Sequence, residues 1–111
     1  MSEIAYFCTM FTINTTYHAP NADARELVIW LSQVYIPAAE ASGFLRKGRI
    51  NRILSHKEED SECFALQLEA DSTSDIHQWM VQRGQALDKE MLRLFEGRVL
   101  GFSTLMESIV G

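Results

Sequence analysis

The chain has 111 residues, of which 47% are apolar and 23% are charged, and its formal net charge is −5. This length and composition are typical of a soluble globular protein, and we expect residues 1–111 to form one domain. The acidic balance disfavours nucleic-acid binding, which needs cationic side chains to displace the counterions of phosphate. No segment approaches the roughly 18 consecutive apolar residues that cross a bilayer, and no secretion signal is visible, so we expect a cytoplasmic protein without a membrane partner.

The first predicted element is a strand over residues 3–15, ended by the polar sequence NTTYHAPN. Its apolar residues do not alternate with polar ones. Apolar side chains therefore occupy both faces of the strand: Phe7, Phe11 and Ile13 on one, and Tyr6, Cys8 and Met10 on the other. This pattern predicts a sheet that needs cover on both faces.

A helix is predicted next, with Asp23 as its N-cap, Glu26 completing an acidic variant of the capping box, and Gly43 as its C-terminal stop. Pro37 should kink the helix near residues 34–36, because proline lacks the N–H and its ring clashes with the carbonyl four residues earlier. The apolar stripe continues in the same register beyond this proline, which favours one bent helix. Its members are Leu27, Trp30, Leu31, Val34, Ala38 and Ala41.

Two further strands are predicted over residues 44–56 and 62–70, joined as a hairpin by the polar segment KEEDS. The first is basic, as expected of an edge strand that resists edge-to-edge aggregation. The stretch RKGRINRILSHK holds five cations: Arg46, Lys47, Arg49, Arg52 and Lys57. In the second strand, the side chains divide clearly between the two faces. Phe64, Leu66, Leu68 and Ala70 share the face expected to meet the helices, and Cys63, Ala65, Gln67 and Glu69 share the other.

The last two predicted elements are a second helix and a closing strand. The segment DSTSD at residues 71–75 is rich in N-cap candidates, and one apolar helical face follows it: Ile76, Met80, Leu87, Met91 and Phe95. Gly84 should loosen this helix near its middle, since glycine costs about 1 kcal/mol relative to alanine there. In the closing strand, Val99 and Leu105 are expected on the face without helices.

The order of the predicted elements indicates an α+β fold. Strand, helix, strand, strand, helix, strand is the split βαβ arrangement of ferredoxin-like folds, with a four-stranded antiparallel sheet and two helices on one face. The chain has nothing else to cover the opposite face. A second copy is expected to cover it, sheet against sheet about a two-fold axis, which predicts a homodimer.

Residues spread along the chain form a recognisable pattern. It consists of a tryptophan in the first helix, then Ile-Pro and Gly, a central Gln in the third strand, and Phe-Gly with Phe-x-Thr near the C-terminus. The residues are Trp30, Ile36, Pro37, Gly43, Gln67, Phe95, Gly97, Phe102 and Thr104. In this pattern the chain resembles a bacterial family known as domain of unknown function 4286. The chain departs from the pattern at Tyr35, where many relatives have His, and at Ser103, where many have Arg. The resemblance implies a ferredoxin-like fold related to the dimeric α+β barrels, and it brings no assigned chemistry.

Histidines and cysteines give little indication of a metal site. His18, His56 and His77 are expected in a loop, at the end of an edge strand and in the first turn of a helix, too far apart to share an ion. Cys8 and Cys63 are the only cysteines and form no CxxC pair. Neither a metal nor another cofactor is therefore expected.

Gln67 is the most informative polar residue, because it lies in the middle of a strand on the face that lacks helices. Buried amides need hydrogen-bond partners, so Gln67 either bonds across the dimer interface or lines a cavity that holds a small molecule. Tyr6, Tyr35 and Ser103 could join such a pocket. These four residues are the candidate ligand-binding residues.

Three functions remain open. The leading interpretation is a small homodimeric protein that binds a small molecule at the sheet face or the dimer interface, with enzymatic activity left undecided. The first alternative is a cofactor-independent enzyme of the dimeric-barrel kind, a monooxygenase or an isomerase, using groups such as Gln67 and Ser103. The second is a regulatory or protein-interaction module whose basic strand, with Arg46, Arg49 and Arg52, meets an acidic partner. A strongly shifted titratable group inside a cavity would favour the enzyme.

Overall fold

A four-stranded antiparallel sheet forms the centre of the molecule. The computed structural model describes residues 10–110. Its strands are β1 at Phe11–Pro20, β2 at Arg46–Arg52, β3 at Ser61–Ala70 and β4 at Leu100–Glu107, in the spatial order β2-β3-β1-β4. One helix connects β1 to β2 and another connects β3 to β4. The predicted βαββαβ order and the ferredoxin-like fold are confirmed.

Each helix contains a π-helical turn near its middle. Helix α1 runs through the segments Asn21–Trp30, Leu31–Tyr35 and Ile36–Ala41, and helix α2 through Thr73–Trp79, Met80–Gly84 and Gln85–Leu94, with the π turn second in both. The turn in α1 ends two residues before Pro37, and the turn in α2 ends at Gly84. The irregularities predicted at these two residues are therefore confirmed. Neither helix is long and apolar enough to cross a bilayer within residues 10–110.

The π turn in α1 changes which residues face the core. A π turn contains one residue more than an α-helical turn, so the residues that follow are rotated by one position. The prediction that the apolar stripe continues in register through Val34 and Ala38 is therefore wrong, because Tyr35 and Ala39 are buried instead. Val34 is exposed.

Strand β1 extends further toward the C-terminus than predicted. Residues 3–9 of the predicted strand lie outside the described part of the chain. The polar segment that was expected to end the strand instead continues it to Pro20, with Tyr17 and Ala19 buried on the helix side. The polar residues Asn14, Thr16 and His18 lie on the opposite face, so the alternation of a half-buried strand is present after all.

The two helix N-termini differ from each other. Helix α1 begins at Asn21 without a side-chain cap, so the predicted capping role of Asp23 is wrong. Asp23 instead accepts hydrogen bonds from the Arg98 guanidinium at 2.9 and 3.1 Å. Helix α2 has the predicted cap within DSTSD, because the Ser72 hydroxyl accepts the Asp75 backbone N–H at 3.1 Å.

Both helices pack on one face of the sheet, called here the helix side, and the other is called the open face. The helix-side residues predicted for β3, among them Phe64 and Leu68, are buried as expected. The assignment of Val99 and Leu105 to the open face is wrong: Val99 is buried, and Leu105 lies opposite the core residue Ile13. The pairing of β4 with β1 determines which residues of β4 lie on each face. It places Leu100, Phe102, Thr104 and Met106 on the open face.

Candidate functional site

A row of polar side chains crosses the centre of the open face. Arg49 on β2 donates from Nε and Nη2 to the Gln67 Oε1 atom on β3 at 3.0 and 2.8 Å. The Gln67 Nε2 atom donates to Asn14 Oδ1 on β1 at 3.1 Å, and Asn14 Nδ2 donates to Thr16 Oγ1 at 3.3 Å. These residues are direct cross-strand neighbours. The amide of Gln67 therefore has partners within its own chain, which satisfies much of its hydrogen-bonding capacity.

Beside this polar row, the open face of β4 is apolar and exposed. Phe102 is 67% exposed, Leu100 is 62% exposed and Met106 is 42% exposed. Thr104 lies opposite Asn14 and continues the polar row to the edge of the sheet. A contiguous group of large exposed apolar side chains next to satisfied polar ones is typical of an interaction surface.

On the helix side, a cleft separates β4 from α2. Two cavities lie there: one of about 150 Å³ bordered by Tyr17, Asp88 and Gly101, and one of about 290 Å³ bordered by Ile76 and Leu105. Ser103 lines both cavities. Its hydroxyl lies 2.8 Å from the Thr15 hydroxyl on β1. The cleft is thus an apolar groove with hydroxyl groups on its floor.

Burial shifts the titration of the polar groups at this cleft. Burial, and then the nearby Tyr35 and Asp88, raise the pKa of Tyr17 far above its ordinary value. Burial also raises the pKa of Asp88. The Tyr17 hydroxyl therefore stays protonated at physiological pH and can donate a hydrogen bond, whereas Asp88 carries a carboxylate that the surroundings destabilise.

The structure does not bring the predicted ligand-binding residues together. Gln67 lies on the open face and Ser103 lies in the cleft on the helix side. Tyr35 is buried between the helices, where its hydroxyl accepts the Trp79 Nε1–H at 3.3 Å and burial raises its pKa to about 12. Tyr6 lies outside the described residues. Tyr17 and Asp88 were missed, because only the pairing of β1 with β4 and the packing of α2 place them beside Ser103.

Most basic residues of β2 are paired with acidic residues of the same chain, and Arg49, which contacts the neutral amide of Gln67, keeps an unopposed charge. Arg46 Nη1 lies 2.9 Å from Asp71 Oδ1, and Arg52 Nε lies 2.8 Å from Glu62 Oε1. The third predicted partner-binding cation, Arg49, is engaged by Gln67. This pairing leaves the strand with little unopposed charge for an acidic partner.

Two of the three histidines lie side by side, which the sequence analysis did not predict. The rings of His18 and His56 are 5.6 Å apart between centroids and nearly perpendicular. The expectation that all three histidines lie apart is therefore wrong for this pair. Cys63 lies beside them, and burial followed by the charge of Glu58 raises the pKa of its thiol, which does not favour a reactive thiolate.

Comparison with known proteins assigns the chain to a family. The sequence profile described as "Domain of unknown function (DUF4286)" matches residues 10–109. The chain belongs to the DUF4286 family. The predicted family resemblance is confirmed, and it gives this DUF4286 protein no named function. No curated protein matches the chain in sequence.

Solved structures share the fold of this DUF4286 protein at low sequence identity. A dimeric ferredoxin-like protein from an uncultured marine organism has a TM-score of 0.66 at 15% identity, over 93% of this chain and 98% of its own. An "ethyl tert-butyl ether d (ethd) family protein" from Bacillus halodurans has a TM-score of 0.62 at 18% identity, over 92% and 99%. A proposed antibiotic biosynthesis monooxygenase from Bacillus cereus has a TM-score of 0.66 at 9% identity, over 92% and 95%. These similarities show the fold and no activity.

Proposed function

We propose that this protein is a homodimer that binds a small, largely apolar molecule in the cleft between β4 and α2. The observation that carries the proposal is that Ser103 lines two neighbouring cavities, with Tyr17 and Asp88 at the border of one of them. Ligand sites are typically apolar clefts with a few convergent polar groups, and groups with shifted pKa values tend to lie in them.

The lining of the cleft limits the chemistry of the ligand. The cavities of about 150 and 290 Å³ lie at or below the usual range of roughly 300–1,000 Å³ for ligand pockets, so the ligand is compact. Its body contacts apolar side chains such as Met80 and Met91. The Tyr17 and Ser103 hydroxyls can donate hydrogen bonds, which suits a ligand with a carbonyl or hydroxyl oxygen.

The open face supports the homodimer. Its β4 residues Leu100, Phe102 and Met106 are exposed, while the amides of Gln67 and Asn14 already have hydrogen-bond partners within the chain. A second sheet can therefore cover these residues, and Arg49, which is exposed on the edge strand β2, can keep its remaining N–H groups in water. The marine ferredoxin-like protein of the same fold is described as dimeric, which supports the same arrangement here.

Phe102 connects the two parts of the proposal. Its side chain belongs to the open face, and the residue also lines the smaller cavity together with Ser103 and Asp88. A partner sheet that packs on Phe102 would fix one border of the cleft. Dimerisation and ligand binding are therefore expected to support each other.

The dimer is tested by a charge placed on the open face. Wild-type protein should sediment as a dimer at micromolar concentration, and Phe102→Glu should raise the dissociation constant at least about 30-fold, the effect of losing an interface hot spot. Val81→Glu is the matched control, because Val81 is an exposed apolar residue of α2, 59% accessible, on the other side of the molecule. A wild-type protein that sediments as a monomer, or equal effects of the two variants, would contradict the dimer.

The ligand site is tested by native mass spectrometry of protein purified gently from cells. Wild-type protein should retain a small molecule, and Ser103→Phe, which fills space that both cavities border, should release it. Ser103→Ala keeps the space and should weaken retention only moderately. Gln67→Leu alters the open face instead, so this variant should retain the ligand; loss of the ligand in Gln67→Leu but not in Ser103→Phe would move the site to the open face.

Asp88 favours a second candidate, a cofactor-independent enzyme that acts in the same cleft. A carboxylate whose pKa is raised by burial is a better proton acceptor near neutral pH than an exposed one. The Bacillus cereus structure with this fold is described as a proposed monooxygenase, which agrees with this candidate. If the retained molecule changes mass on incubation with the protein in air, Asp88→Asn should stop the change and preserve binding. Unchanged turnover in Asp88→Asn would exclude Asp88 as the base.

A further inference from the structure

Four side chains with metal-binding atoms meet at one end of the open face, away from the cleft. One ligand atom from each of His18, His56 and Glu58 lies within 4.8 Å of the others, and the closest approach of His18 Nε2 to Glu58 Oε2 is 3.5 Å. Cys63 Sγ lies 3.3 Å from the Nδ1 atom of His56. Both histidines are half-buried, and Glu58 is exposed.

The fold brings these residues together from distant parts of the chain. His18 lies directly opposite Cys63 in the pairing of β1 with β3. The β2–β3 loop then folds back over the end of the sheet, because the Ile53 N–H donates to the Cys63 carbonyl at 2.9 Å and the His56 N–H donates to the Ile53 carbonyl at 3.4 Å. This loop places the His56 ring beside the His18 ring.

Hydrogen bonds hold the His56 ring and the Glu58 carboxylate in place. With its proton on Nδ1, His56 can donate to Cys63 Sγ and present the lone pair of Nε2 on the side of Ser61 and Glu58. Ser61 is buried, and its hydroxyl lies 2.9 Å from His56 Nε2 and 3.2 Å from Glu58 Oε2. In this tautomer the hydroxyl donates to Nε2 as long as no ion is bound, and it can donate to Glu58 Oε2 instead once an ion occupies Nε2. Histidine ligands of metals commonly donate their second ring N–H to a fixed partner in this way.

The donor set selects a class of ion. Two imidazoles and one carboxylate suit zinc and chemically similar divalent transition metals, whereas calcium and magnesium prefer oxygen ligands alone. Donor atoms in a tetrahedral zinc site are about 3.4 Å apart, given bonds of about 2.1 Å. The His18 Nε2 to Glu58 Oε2 distance of 3.5 Å already matches this value, and the remaining donor spacings, which lie within 4.8 Å, have to shorten when an ion binds. The His18 and Glu58 side chains are 40% and 62% exposed, which leaves space for this adjustment.

The surroundings also favour a cation. The loop carries the acidic sequence EEDSE at residues 58–62, which lowers the electrostatic cost of an added positive charge. A cavity of about 160 Å³ opens beside His56, Ser61 and Cys63, and it has room for water as a further ligand.

We propose that His18, His56 and Glu58 bind one divalent cation of the zinc class, with Cys63 as the hydrogen-bond partner that orients His56. The site is separate from the cleft, so it does not depend on the ligand binding proposed there.

Metal titration of the untagged full-length protein, stripped with a chelator, tests the site. Isothermal titration with Zn²⁺ should give one ion per chain, and the ion should raise the melting temperature, because it binds the folded state. Co²⁺ as a probe should give the visible absorption bands of a four-coordinate ion. Absence of binding by both metals at millimolar concentration would overturn the proposal.

Variants of single ligands locate the ion. His18→Ala and His56→Ala should each weaken Zn²⁺ binding about 100-fold or more, and Glu58→Gln, an isosteric change on the exposed loop that preserves folding, should weaken it at least about tenfold. His77→Ala is the matched control, since His77 is the third histidine and is exposed on α2. Zinc affinity that falls equally in His77→Ala, or is unchanged in His18→Ala and Glu58→Gln, would overturn the assignment.

Cys63→Ser separates a supporting role from direct ligation. As a supporting residue, Cys63 can be replaced by a hydroxyl with a loss of about tenfold in affinity, and the Co²⁺ spectrum should lack a thiolate charge-transfer band in wild-type protein. Such a band in wild-type protein that disappears in Cys63→Ser would overturn the supporting role and make Cys63 a ligand.

Discussion

The two edge strands of the sheet, β2 and β4, differ in how well their outer edges are protected from solvent and from further pairing. Strand β2 is interrupted by a bulge between Arg46 and Arg49, where Lys47 has a φ of +55°, and Gly48 packs closely beneath Ile36 of α1. The Gly48 N–H also donates to the Glu40 carboxylate at 3.0 Å. Strand β4 has no comparable cover from α2, and all of its residues are exposed.

This difference indicates which edge of the sheet is available for function. A bulged, charged and helix-covered edge resists further pairing, and β2 has all three features. The exposed apolar residues of β4 border both the open face and the cleft. We therefore expect substitutions at β4 to affect assembly and ligand binding, and substitutions on the surface of β2 to have small effects on either.

The largest effect on stability is expected at Gly101 in β4. A Cβ atom there would lie 2.9 and 3.0 Å from ring carbons of Tyr17, which is buried and cannot move away easily. Gly101→Ala should lower the free energy of unfolding by about 2 kcal/mol, measured by urea denaturation. At Gly48 in β2 a Cβ atom would lie 2.7 Å from Ile36 Cγ2 and 3.0 Å from Leu68 Cδ2. Ile36 is only half-buried and can shift toward solvent more easily than the Tyr17 ring, so Gly48→Ala should cost less. A larger loss for Gly48→Ala would reverse the comparison.

A smaller loss is expected when the link between the two helices is removed. Tyr35→Phe leaves the buried Trp79 N–H without its partner and should lower the free energy of unfolding by about 1 kcal/mol. The matched variant is Tyr17→Phe, whose ring borders the cleft beneath β4. Thermal denaturation of both variants compares them directly. An equal loss in Tyr17→Phe would show that the Tyr35 hydrogen bond has no special role.

Acid sensitivity is expected from the ion pair that ties the start of β4 to α1. The hydrogen bonds from Arg98, the largest influence, hold the pKa of Asp23 below its ordinary value. The stabilisation is therefore complete above the ordinary pKa of the carboxyl and is lost as the pH falls through its lowered value. The melting temperature of Arg98→Ala should lie below that of wild-type protein at about pH 7 and approach it near about pH 3. A constant difference across this range would contradict the pairing.

The smallest effect is expected from the exposed ion pair of β2. The Arg52 and Glu62 side chains are 61% and 34% exposed, and such pairs contribute about 0.2–1 kcal/mol. A double-mutant cycle of Arg52→Ala and Glu62→Ala isolates this coupling from the contact of Arg52 with the Phe64 ring. The coupling should fall further in high salt. A coupling above about 2 kcal/mol would show that the β2 edge is held more tightly than its exposure indicates.

Most of the architecture could be predicted from local sequence patterns. The alternation in β3 gave the correct buried face, Ser72 gave the cap of α2, and Pro37 and Gly84 gave the helix irregularities. Two assignments failed because they needed the pairing partner or the exact helical turn. The open face of β4 is fixed by its register with β1, and the buried side of α1 after Tyr35 is fixed by the extra residue of the π turn.

The candidate sites were less predictable than the fold. Ser103 was chosen from the sequence, but Tyr17 and Asp88 lie far from it along the chain, so no spacing pattern could indicate their proximity. The same holds for His18 and His56, whose rings meet only because β1 pairs with β3 and the β2–β3 loop folds back. Gln67 was placed on the correct face, whereas its partners Arg49 and Asn14 depend on the pairing of three strands.

The sequence by itself determined the order of the elements, the residues of β3 that are buried in the core, and the family. These properties follow from backbone preferences and from hydrophobic periodicity, which act over a few neighbouring residues. Only the tertiary structure decided which polar groups meet in the cleft, along the open face and around His56. Such contacts depend on strand register and on the path of the loops. A shift of the strand register by a single residue would place each side chain of the strand on the opposite face.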